Sequence, residues 1–284
     1  MRILVTGATG QVGRHLIAQL NDAGHTVRAL TRNPAGAGLP TGVETVAGDL
    51  TDSISLAAAF EGMDALHLIT FGGDEREDLA NGTEIVQLAE RCGISRITVL
   101  GGWAPTSIEE ALAVSSISWT IVQPAEFMGN ALELVSEIRA SRTVSMFADY
   151  PSAVVHEADI AAVAATALTA DGHGGKTYRV TGPEALTPAE RTRLLAEATG
   201  KPIEFVQLGE AAERERLRGY GYDEDYVQFG IQLATSPPNA AGAVLPTIRD
   251  VTGHLPRTFS QWAREHADQF EATPAPWPAD PAEL

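Results

Sequence analysis

Short apolar runs alternate with amphipathic stretches along roughly the first 125 residues of the chain. Runs of Val, Ile, Leu and Ala predict strands at 2–6, 26–31, 43–47, 64–70, 96–101 and 118–123. Apolar residues spaced by three and four predict helices at 11–23, 53–60, 76–92 and 107–115. Each connection between successive strands is long enough for a parallel crossover. The pattern therefore predicts an α/β fold, a Rossmann doubly wound parallel sheet.

Beyond Pro124 the pattern is less regular. It predicts a helix near 125–140, a strand near 143–147, a helix at 158–170 that begins at Asp159, and a strand at 176–181. Thr187-Pro188-Ala189-Glu190 is typical of a helix start, with Thr187 as cap and Glu190 closing a capping box. That helix runs to Gly200, a strand is predicted at 202–206, and Thr258 caps a last helix through Phe270.

This change in pattern predicts two lobes and a tail. The Rossmann domain is expected at 1–124 and 154–182, and a smaller α+β substrate lobe at 125–153 and 183–270. The last residues, 271–284, contain four prolines and are expected to form an extended tail.

The first predicted strand runs directly into a glycine-rich turn. Thr6-Gly7-Ala8-Thr9-Gly10-Gln11-Val12-Gly13 follows the apolar residues Ile3 to Val5 and leads into a segment with helical spacing. Gly7 suits the sharp turn out of the strand, Gly10 lets the backbone approach a pyrophosphate, and Gly13 lets the helix pack closely on the sheet. The N-terminus of the helix then presents N–H groups to the phosphates. We interpret the turn as a dinucleotide-binding site.

The residue after the second strand bears on which dinucleotide is bound. NAD-preferring sites usually hold the ribose hydroxyls with an acidic residue about 20 positions past the glycines. This chain has Arg32 there, 19 positions after Gly13. Because a guanidinium pairs bidentately with a 2′-phosphate, NADPH is the expected cofactor. Arg14 is a second candidate for that contact. Asp49, after the third strand, is expected to reach the adenine edge, to form a turn, or both.

Composition narrows the classes of partner. The 284 residues, 44% of them hydrophobic, can bury one large core or two unequal lobes. The net charge of -17, from 20 basic and 37 acidic residues, repels nucleic acid and anionic membranes. The single cysteine, Cys92, excludes an internal disulfide and a cysteine cluster for zinc. No apolar run approaches roughly 18 residues and no basic segment precedes one. We therefore expect a cytoplasmic protein without nucleic-acid, membrane or metal partners, either a monomer or a homodimer.

Several motifs together resemble the NmrA-like group of atypical short-chain dehydrogenase/reductases. This group includes bacterial quinone and triphenylmethane reductases, plant isoflavone-type reductases and NADPH-sensing regulators. The resemblance covers nearly the whole chain and is carried by the segments Val5–Gly13, Leu30–Pro34, Gly48–Leu50, Ser118–Asn130, His156–Ala161 and Gly175–Pro183.

The resemblance implies that the nicotinamide lies across the ends of the fourth, fifth and sixth strands. Together with the glycine turn, this gives the expected cofactor-binding residues: Thr6, Gly7, Thr9, Gly10, Gln11, Val12, Gly13, Arg32, Asp49, Leu50, Ile69, Thr70, Gly101 and Pro124. Phe71, Trp103 and Phe127 lie at the same strand ends. They are candidates to line a substrate pocket, and Trp103 and Phe127 are equally well explained as core aromatics between the lobes.

The chain departs from typical short-chain dehydrogenases in its proton-transfer residues. Those enzymes use a Tyr-x-x-x-Lys pair, in which the lysine lowers the pKa of the tyrosine. Here the positions four before Lys176 and Lys201 are Gly172 and Glu197, so no such pair exists. Residues 103–110, which follow the fifth strand, contain no lysine either. Dehydrogenation of a simple alcohol by this relay is therefore not expected.

Hydride transfer that needs little proton assistance remains compatible with the sequence. Quinones, azo dyes, triarylmethanes and conjugated ketones accept hydride to give a neutral or delocalised product, and the protein then orients the substrate and excludes water. His156 and Glu126 are the candidate catalytic residues that donate a proton. The alternatives are a structural histidine at 156 and a solvated carboxylate at 126. His67, inside an apolar strand, is expected in the core.

The sequence thus predicts an NADPH-dependent reductase of a small aromatic or conjugated molecule, working without a Tyr-x-x-x-Lys relay. Two alternatives stay open. One is an NADPH-sensing regulatory protein without catalysis, which the missing relay would equally explain. The other is a biosynthetic dehydratase, cyclase or isomerase on the same fold.

Overall fold

The computed structural model of the chain describes residues 1–73, 77–102, 104–219, 221–237 and 240–271. Its strands are β1 (Arg2–Val5), β2 (Thr26–Thr31), β3 (Glu44–Ala47), β4 (Ala65–Ile69), β5 (Phe71–Gly72), β6 (Glu77–Asp78), β7 (Arg96–Leu100), β8 (Ser118–Pro124), β9 (Thr143–Met146), β10 (Lys176–Val180) and β11 (Glu204–Gln207). Trp103 and the predicted tail after Glu271 lie outside the described residues.

The helices complete the element order. They are α1 (Gln11–Asp22), α2 (Ala57–Phe60), α3 (Gly82–Arg91), α4 (Ser107–Ala113), α5 (Val135–Ser141), α6 (Glu157–Thr169), α7 (Pro188–Thr199), α8 (Glu210–Gly219), α9 (Glu224–Thr235), α10 (Thr247–Thr252), α11 (Phe259–Glu265) and α12 (Ala267–Glu271). Short 3₁₀ turns lie at Pro34–Gly36, Ser53–Leu56 and Met128–Leu134. In the described part of the chain, no helix is both long and apolar enough to cross a bilayer.

Seven parallel strands form the main sheet, in the order β10-β8-β7-β4-β1-β2-β3. The order reverses between β1 and β4, where Leu4 pairs in register with Leu66. All of the neighbouring strands pair parallel, so their carboxyl ends share one edge of the sheet. The predicted Rossmann doubly wound fold is confirmed, and ligands in such folds bind outside that edge, beside the reversal.

Two apolar clusters cover the two faces of this sheet. On one face Leu16 of α1 and Ile160 of α6 are fully buried together with Val5 of β1. On the other face Ile85 of α3 and Ile108 of α4 are buried in a second cluster. Along each of these helices the buried apolar residues recur every three or four positions, which is the pattern that predicted the helices.

The chain divides into two compact units. The first contains residues 1–127, 155–183 and 244–256, and so holds the whole seven-stranded sheet and α10. The second contains 128–154, 184–243 and the described residues from Arg257 onward. The sequence pattern predicted that 244–256 belongs to the substrate lobe, whereas α10 in this segment packs on α6 and β10 of the first unit. Ile248, 1% exposed, joins the core of that unit and explains the difference.

Inside the second unit a two-stranded parallel sheet, β9 with β11, packs with α5, α7, α11 and α12. Its core contains Phe259 and Trp262, whose rings stack with centroids 5.5 Å apart. The Thr187 side chain caps α7 by accepting a hydrogen bond from the Glu190 N–H, and the Glu190 carboxylate accepts one from the Thr187 N–H. The predicted capping box is confirmed.

Three predicted helices differ in the structure. Residues 76–92 do not form one helix, because residues 77 and 78 pair with β5 and α3 begins only at Gly82. Residues 125–140 begin extended, where Phe127 bridges Val155, and become 3₁₀ and then α-helical. The last helix is divided at His266 into α11 and α12. In the first case pairing with the neighbouring strand β5 overrides the helical periodicity, and in the second the bridge to the distant Val155 does so.

Candidate functional site

The glycine turn between β1 and α1 has the geometry that its sequence predicts. Gly7 has a φ of +59°, a conformation that favours glycine, and its carbonyl accepts the N–H of Gly10 at 2.9 Å. A Cβ at Gly13 would overlap that same carbonyl oxygen, and one at Gly10 would lie 3.2 Å from it. The two glycines therefore let the start of α1 pack directly against the backbone of this turn, which we call the glycine cradle.

This cradle opens at the N-terminus of α1. Among the described residues no side chain caps this helix end, and its first turn contains no acidic residue. The first N–H groups of a helix carry partial positive charge and bind anions. The arrangement thus fits the pyrophosphate of a dinucleotide, because backbone can approach closely and no carboxylate competes for the N–H groups.

Beside the cradle, Thr6 links the two strands at the reversal of strand order. Its N–H donates to the His67 carbonyl at 3.0 Å and its Oγ1 accepts from the Ile69 N–H, also at 3.0 Å. His67 is 1% exposed, as expected for a core residue, and its Nδ1 lies 2.8 Å from the Thr98 Oγ1. Burial lowers the pKa of His67 to about 4, so the ring is neutral at pH 7. It supports the strand ends as an uncharged hydrogen-bonding group.

Arg32 follows directly after β2, on the same edge of the sheet, and is exposed. The next residue, Asn33, caps the 3₁₀ turn at Pro34–Gly36 by accepting the Gly36 N–H at 3.2 Å. Arg14, the other candidate for a 2′-phosphate, donates through its guanidinium to the carbonyls of Thr9, Ala37 and Gly38. The Arg14 guanidinium is therefore engaged with three backbone carbonyls.

Asp49, after β3, forms a turn. Its Oδ1 accepts from the Thr51 N–H at 2.9 Å and from the Thr51 hydroxyl at 2.8 Å. These two bonds hold the pKa of Asp49 below its ordinary value, the N–H having the larger effect. The neighbouring Leu50 is buried, and its carbonyl accepts from the Asn81 side chain at 2.9 Å.

A cleft of about 330 Å³ adjoins this turn. Thr51, Gly72, Gly73 and residues 77–81 line it. It is formed by the β5–β6 hairpin, which the helical prediction for 76–92 missed, and Phe71 lies half-buried at the start of that hairpin. The surface beside the Asp49 turn is thus shaped by a hairpin rather than by a helix.

The ends of β7 and β8 complete the edge. The Gly101 N–H donates to the Val122 carbonyl at 2.9 Å, and the Gln123 side chain donates to the Gly102 carbonyl at 3.1 Å. Glu109, only 7% exposed, accepts the Thr106 N–H at 2.6 Å through Oε2. Its Oε1 lies only 2.7 Å from the point where a Cβ at position 101 would be, so a side chain there would collide with Glu109. Sequence reasoning missed Glu109, although Thr106-Ser107-Ile108-Glu109 has the spacing of a capping box.

His156 forms the N-cap of α6. The sequence predicted that Asp159 begins this helix, but the helix begins at Glu157, and the His156 Nδ1 accepts the Ala158 N–H at 3.0 Å. The His156 side chain is 1% exposed, and its ring lies edge-on to His15 of α1, with centroids 5.8 Å apart. Because Nδ1 accepts a hydrogen bond, the proton of the neutral ring is on Nε2.

Glu126 and Phe127 follow β8 after one intervening residue, Ala125. The backbone carbonyl of Glu126 accepts a hydrogen bond from the Val155 N–H at 2.7 Å, and Glu126 itself is half-buried. Phe127, also half-buried, packs against the core cluster that contains α1 and α6. Its ring therefore contributes to the core of the first unit.

The structure thus brings the predicted cofactor residues to one edge. Each of them lies in or directly after the turn that follows β1, or at the carboxyl end of β2, β3, β4, β7 or β8. Sequence reasoning missed the contacts of Arg14 and the hydrogen bond between Thr6 and Ile69, since neither pairing has a signal in local spacing.

Comparison with known proteins agrees with this geometry. A family model described as NAD(P)H-binding matches residues 7–105. A (4-alkanoyl-5-oxo-2,5-dihydrofuran-3-yl)methyl phosphate reductase of Streptomyces griseus subsp. griseus is 37% identical, over 94% of this chain and 99% of its own length. An NAD(P)H azoreductase of Xenophilus azovorans is 31% identical, over 95% of this chain and 99% of its own.

A solved structure shares the fold. The NADPH-dependent quinone oxidoreductase of Escherichia coli in complex with NADPH aligns with a TM-score of 0.75 and 24% identity. The alignment covers 93% of this chain and 99% of that one. At this identity the likeness concerns the fold.

Proposed function

The chain belongs to the NmrA-like group of short-chain dehydrogenase/reductases and is an NAD(P)H-dependent oxidoreductase, and on that premise we propose that it uses NADPH to reduce a conjugated or quinone-like small molecule. The observation that carries the proposal is the uncapped N-terminus of α1 behind its glycine cradle, with Arg32 following the adjacent strand β2. Backbone N–H groups bind the pyrophosphate there, and the Arg32 guanidinium pairs with the 2′-phosphate.

The acceptor is an electron-poor double bond conjugated with carbonyl groups. The relative from Streptomyces griseus is named for a dihydrofuranone that bears an alkanoyl group and a methyl phosphate. In such a ring the C=C bond is polarised by the lactone and alkanoyl carbonyls together. When bound, the reduced nicotinamide supplies a hydride. The electron pair of the C=C bond then moves onto the carbonyl oxygens, and a weak acid protonates the neighbouring carbon.

This chemistry suits a chain without a Tyr-x-x-x-Lys relay, because a delocalised enolate needs no strong acid. We assign the supply of that proton to Glu126, which lies two residues past the end of β8, at the edge of the sheet where the expected cofactor residues lie. His156 then has the structural role of capping α6, since its Nδ1 is engaged with the Ala158 N–H and its side chain is buried.

An anaerobic assay tests the proposal. Oxidation of NADPH and of NADH is followed optically with an alkanoyl furanone phosphate, its dephosphorylated form, a quinone and an azo dye. We expect steady turnover with NADPH preferred and the furanones reduced fastest. The Arg32→Glu variant is expected to lose the preference for NADPH, and Glu126→Gln to lower kcat by about 100-fold, the usual contribution of a general acid.

Each other outcome has a defined meaning. Faster turnover of the quinone or the azo dye would assign the acceptor to that class and reject the furanone. Tight NADPH binding with no turnover of any acceptor would contradict the proposed reduction and favour the sensing role. An unchanged cofactor preference in Arg32→Glu would remove the 2′-phosphate assignment.

A further inference from the structure

All three nitrogens of the Arg14 guanidinium donate to backbone carbonyls. Nε donates to the Thr9 oxygen at 2.9 Å, Nη1 to the Gly38 oxygen at 3.0 Å, and Nη2 to the Ala37 oxygen at 3.1 Å. The guanidinium is a rigid planar fork, so three simultaneous bonds define the separation of the three carbonyls.

These bonds connect two loops that are distant in sequence. Thr9 belongs to the glycine turn after β1, whereas Ala37 and Gly38 lie in the middle of the loop 32–43, which begins at Arg32 and joins β2 to β3. The middle of that loop also has apolar contacts: Ala37 is 3% exposed, and Leu39 packs against the core cluster that contains the buried face of α1. Gly38 has a φ of +57°, which lets its carbonyl turn toward α1 without strain.

We propose that Arg14 is a positioning residue for cofactor specificity: it holds the Arg32 loop at a set distance from the glycine turn, so that one dinucleotide can meet both. This inference rests on the proposed use of NADPH. The pyrophosphate and the 2′-phosphate are joined by a single ribose of fixed size, so a site that recognises both needs the two loops in register. Arg14 acts through Arg32 and does not itself contact the phosphate.

The alternative, direct contact of Arg14 with the phosphate, makes different predictions. A lysine at position 14 keeps the charge but cannot span three carbonyls, since its donors share one nitrogen. If Arg14 acts by clamping the two loops together through its three hydrogen bonds, Arg14→Lys and Arg14→Gln lose the clamp equally. A direct ionic contact would be largely retained by lysine and lost only with glutamine. The two variants thus separate geometry from charge.

The experiment measures binding by calorimetry, without turnover. Kd values for NADP⁺ and NAD⁺ are determined for the wild type, Arg14→Lys, Arg14→Gln, Arg32→Gln and the double variant Arg14→Lys/Arg32→Gln. Arg249→Lys, whose exposed side chain pairs with Asp250, is the matched control. We expect both Arg14 variants to lower the preference for NADP⁺ by about tenfold, as for residues in one network. In the Arg32→Gln background the added Arg14→Lys change is expected to alter the preference less than about twofold.

The outcomes separate this inference from the proposed function. If the wild type prefers NADP⁺ and Arg32→Gln abolishes the preference, but Arg14→Lys retains it, only the role of Arg14 is wrong. Equal losses from Arg14→Lys with and without Arg32 would also overturn it, because the effect would not pass through Arg32. If the wild type binds both dinucleotides equally, the proposed NADPH use fails and the Arg14 inference fails with it. Thermal unfolding and the NAD⁺ Kd, both expected near wild type, show that the variants are folded.

Discussion

The hydroxyl of Thr6 accepts a hydrogen bond from the backbone N–H of Ile69 at 3.0 Å, across the point where the order of the sheet strands reverses. Thr6 is fully buried, and its own N–H donates to the His67 carbonyl. This one residue therefore ties the end of β1 to the end of β4 twice, and both ends border the glycine cradle.

Replacing Thr6 by Val tests this tie. Val keeps the shape of the side chain but removes the acceptor, which leaves the Ile69 N–H without its partner. We expect the free energy of unfolding to fall by about 1–3 kcal/mol, the cost of an unsatisfied buried donor. Urea unfolding measures the change. Thr6→Ser keeps the hydroxyl and is expected to lose clearly less; equal losses for Val and Ser would show that the methyl group matters instead.

Gly13→Ala is expected to disrupt the cradle. Alanine gains about 1 kcal/mol in helix propensity over glycine. That gain is outweighed because the new Cβ would overlap the Gly7 carbonyl, a backbone group that cannot rotate away, and overpacking typically costs about 1–3 kcal/mol. NADP⁺ binding, measured by calorimetry, should be lost. Gly209→Ala, where a Cβ meets nothing within 4 Å, is the matched control and should bind as the wild type does.

The buried His67 predicts a pH dependence of stability. Its pKa falls from 6.5 to about 4 on folding, because burial disfavours the charged ring. Below pH 6.5 the unfolded chain binds the proton first, so stability is full above that pH and is lost as the pH falls toward 4. One pKa unit corresponds to ~1.4 kcal/mol, so the loss attributable to His67 is about 3 kcal/mol.

Denaturant unfolding at several pH values between 4 and 7 measures this contribution. The slope of stability against pH should become shallower in His67→Asn, whose side chain does not titrate in this range. His254 is exposed, and His254→Asn should retain the wild-type slope. An unchanged slope in His67→Asn would contradict the assignment to this ring.

His156 is expected to matter for stability rather than for turnover. Asn is a good N-cap, whereas Ala is a poor one, so His156→Ala should be less stable than His156→Asn by about 1 kcal/mol. Both variants should retain kcat to well within the ~100-fold that removal of a general acid costs. Thermal unfolding and steady-state kinetics on the same preparations check the two expectations. A large loss of kcat in both variants would instead identify His156 as the proton donor.

Local signals in the sequence were enough for the sheet and the glycine turn. The apolar runs of β1, β2, β3, β4, β7 and β8 have the period and length typical of parallel strands, and Gly7, Gly10 and Gly13 occupy positions that local backbone geometry dictates. The capping box at Thr187 and the helix cap at Thr258 were likewise predicted, because a cap and its partner lie three residues apart.

Tertiary contacts decided the features between these elements. Residues 77 and 78 have helical periodicity, yet they pair with β5, and Gly82 begins α3 because its Cα packs against the backbone of Ser107. His156 rather than Asp159 caps α6, and the segment 244–256 joins the first unit through Ile248. Arg14 was a candidate phosphate ligand in the sequence, and only its three bonds to Thr9, Ala37 and Gly38 indicate a clamp. Sequence determined what depends on neighbours within about four positions, whereas contacts between distant loops depend on the distances that only the folded sheet sets.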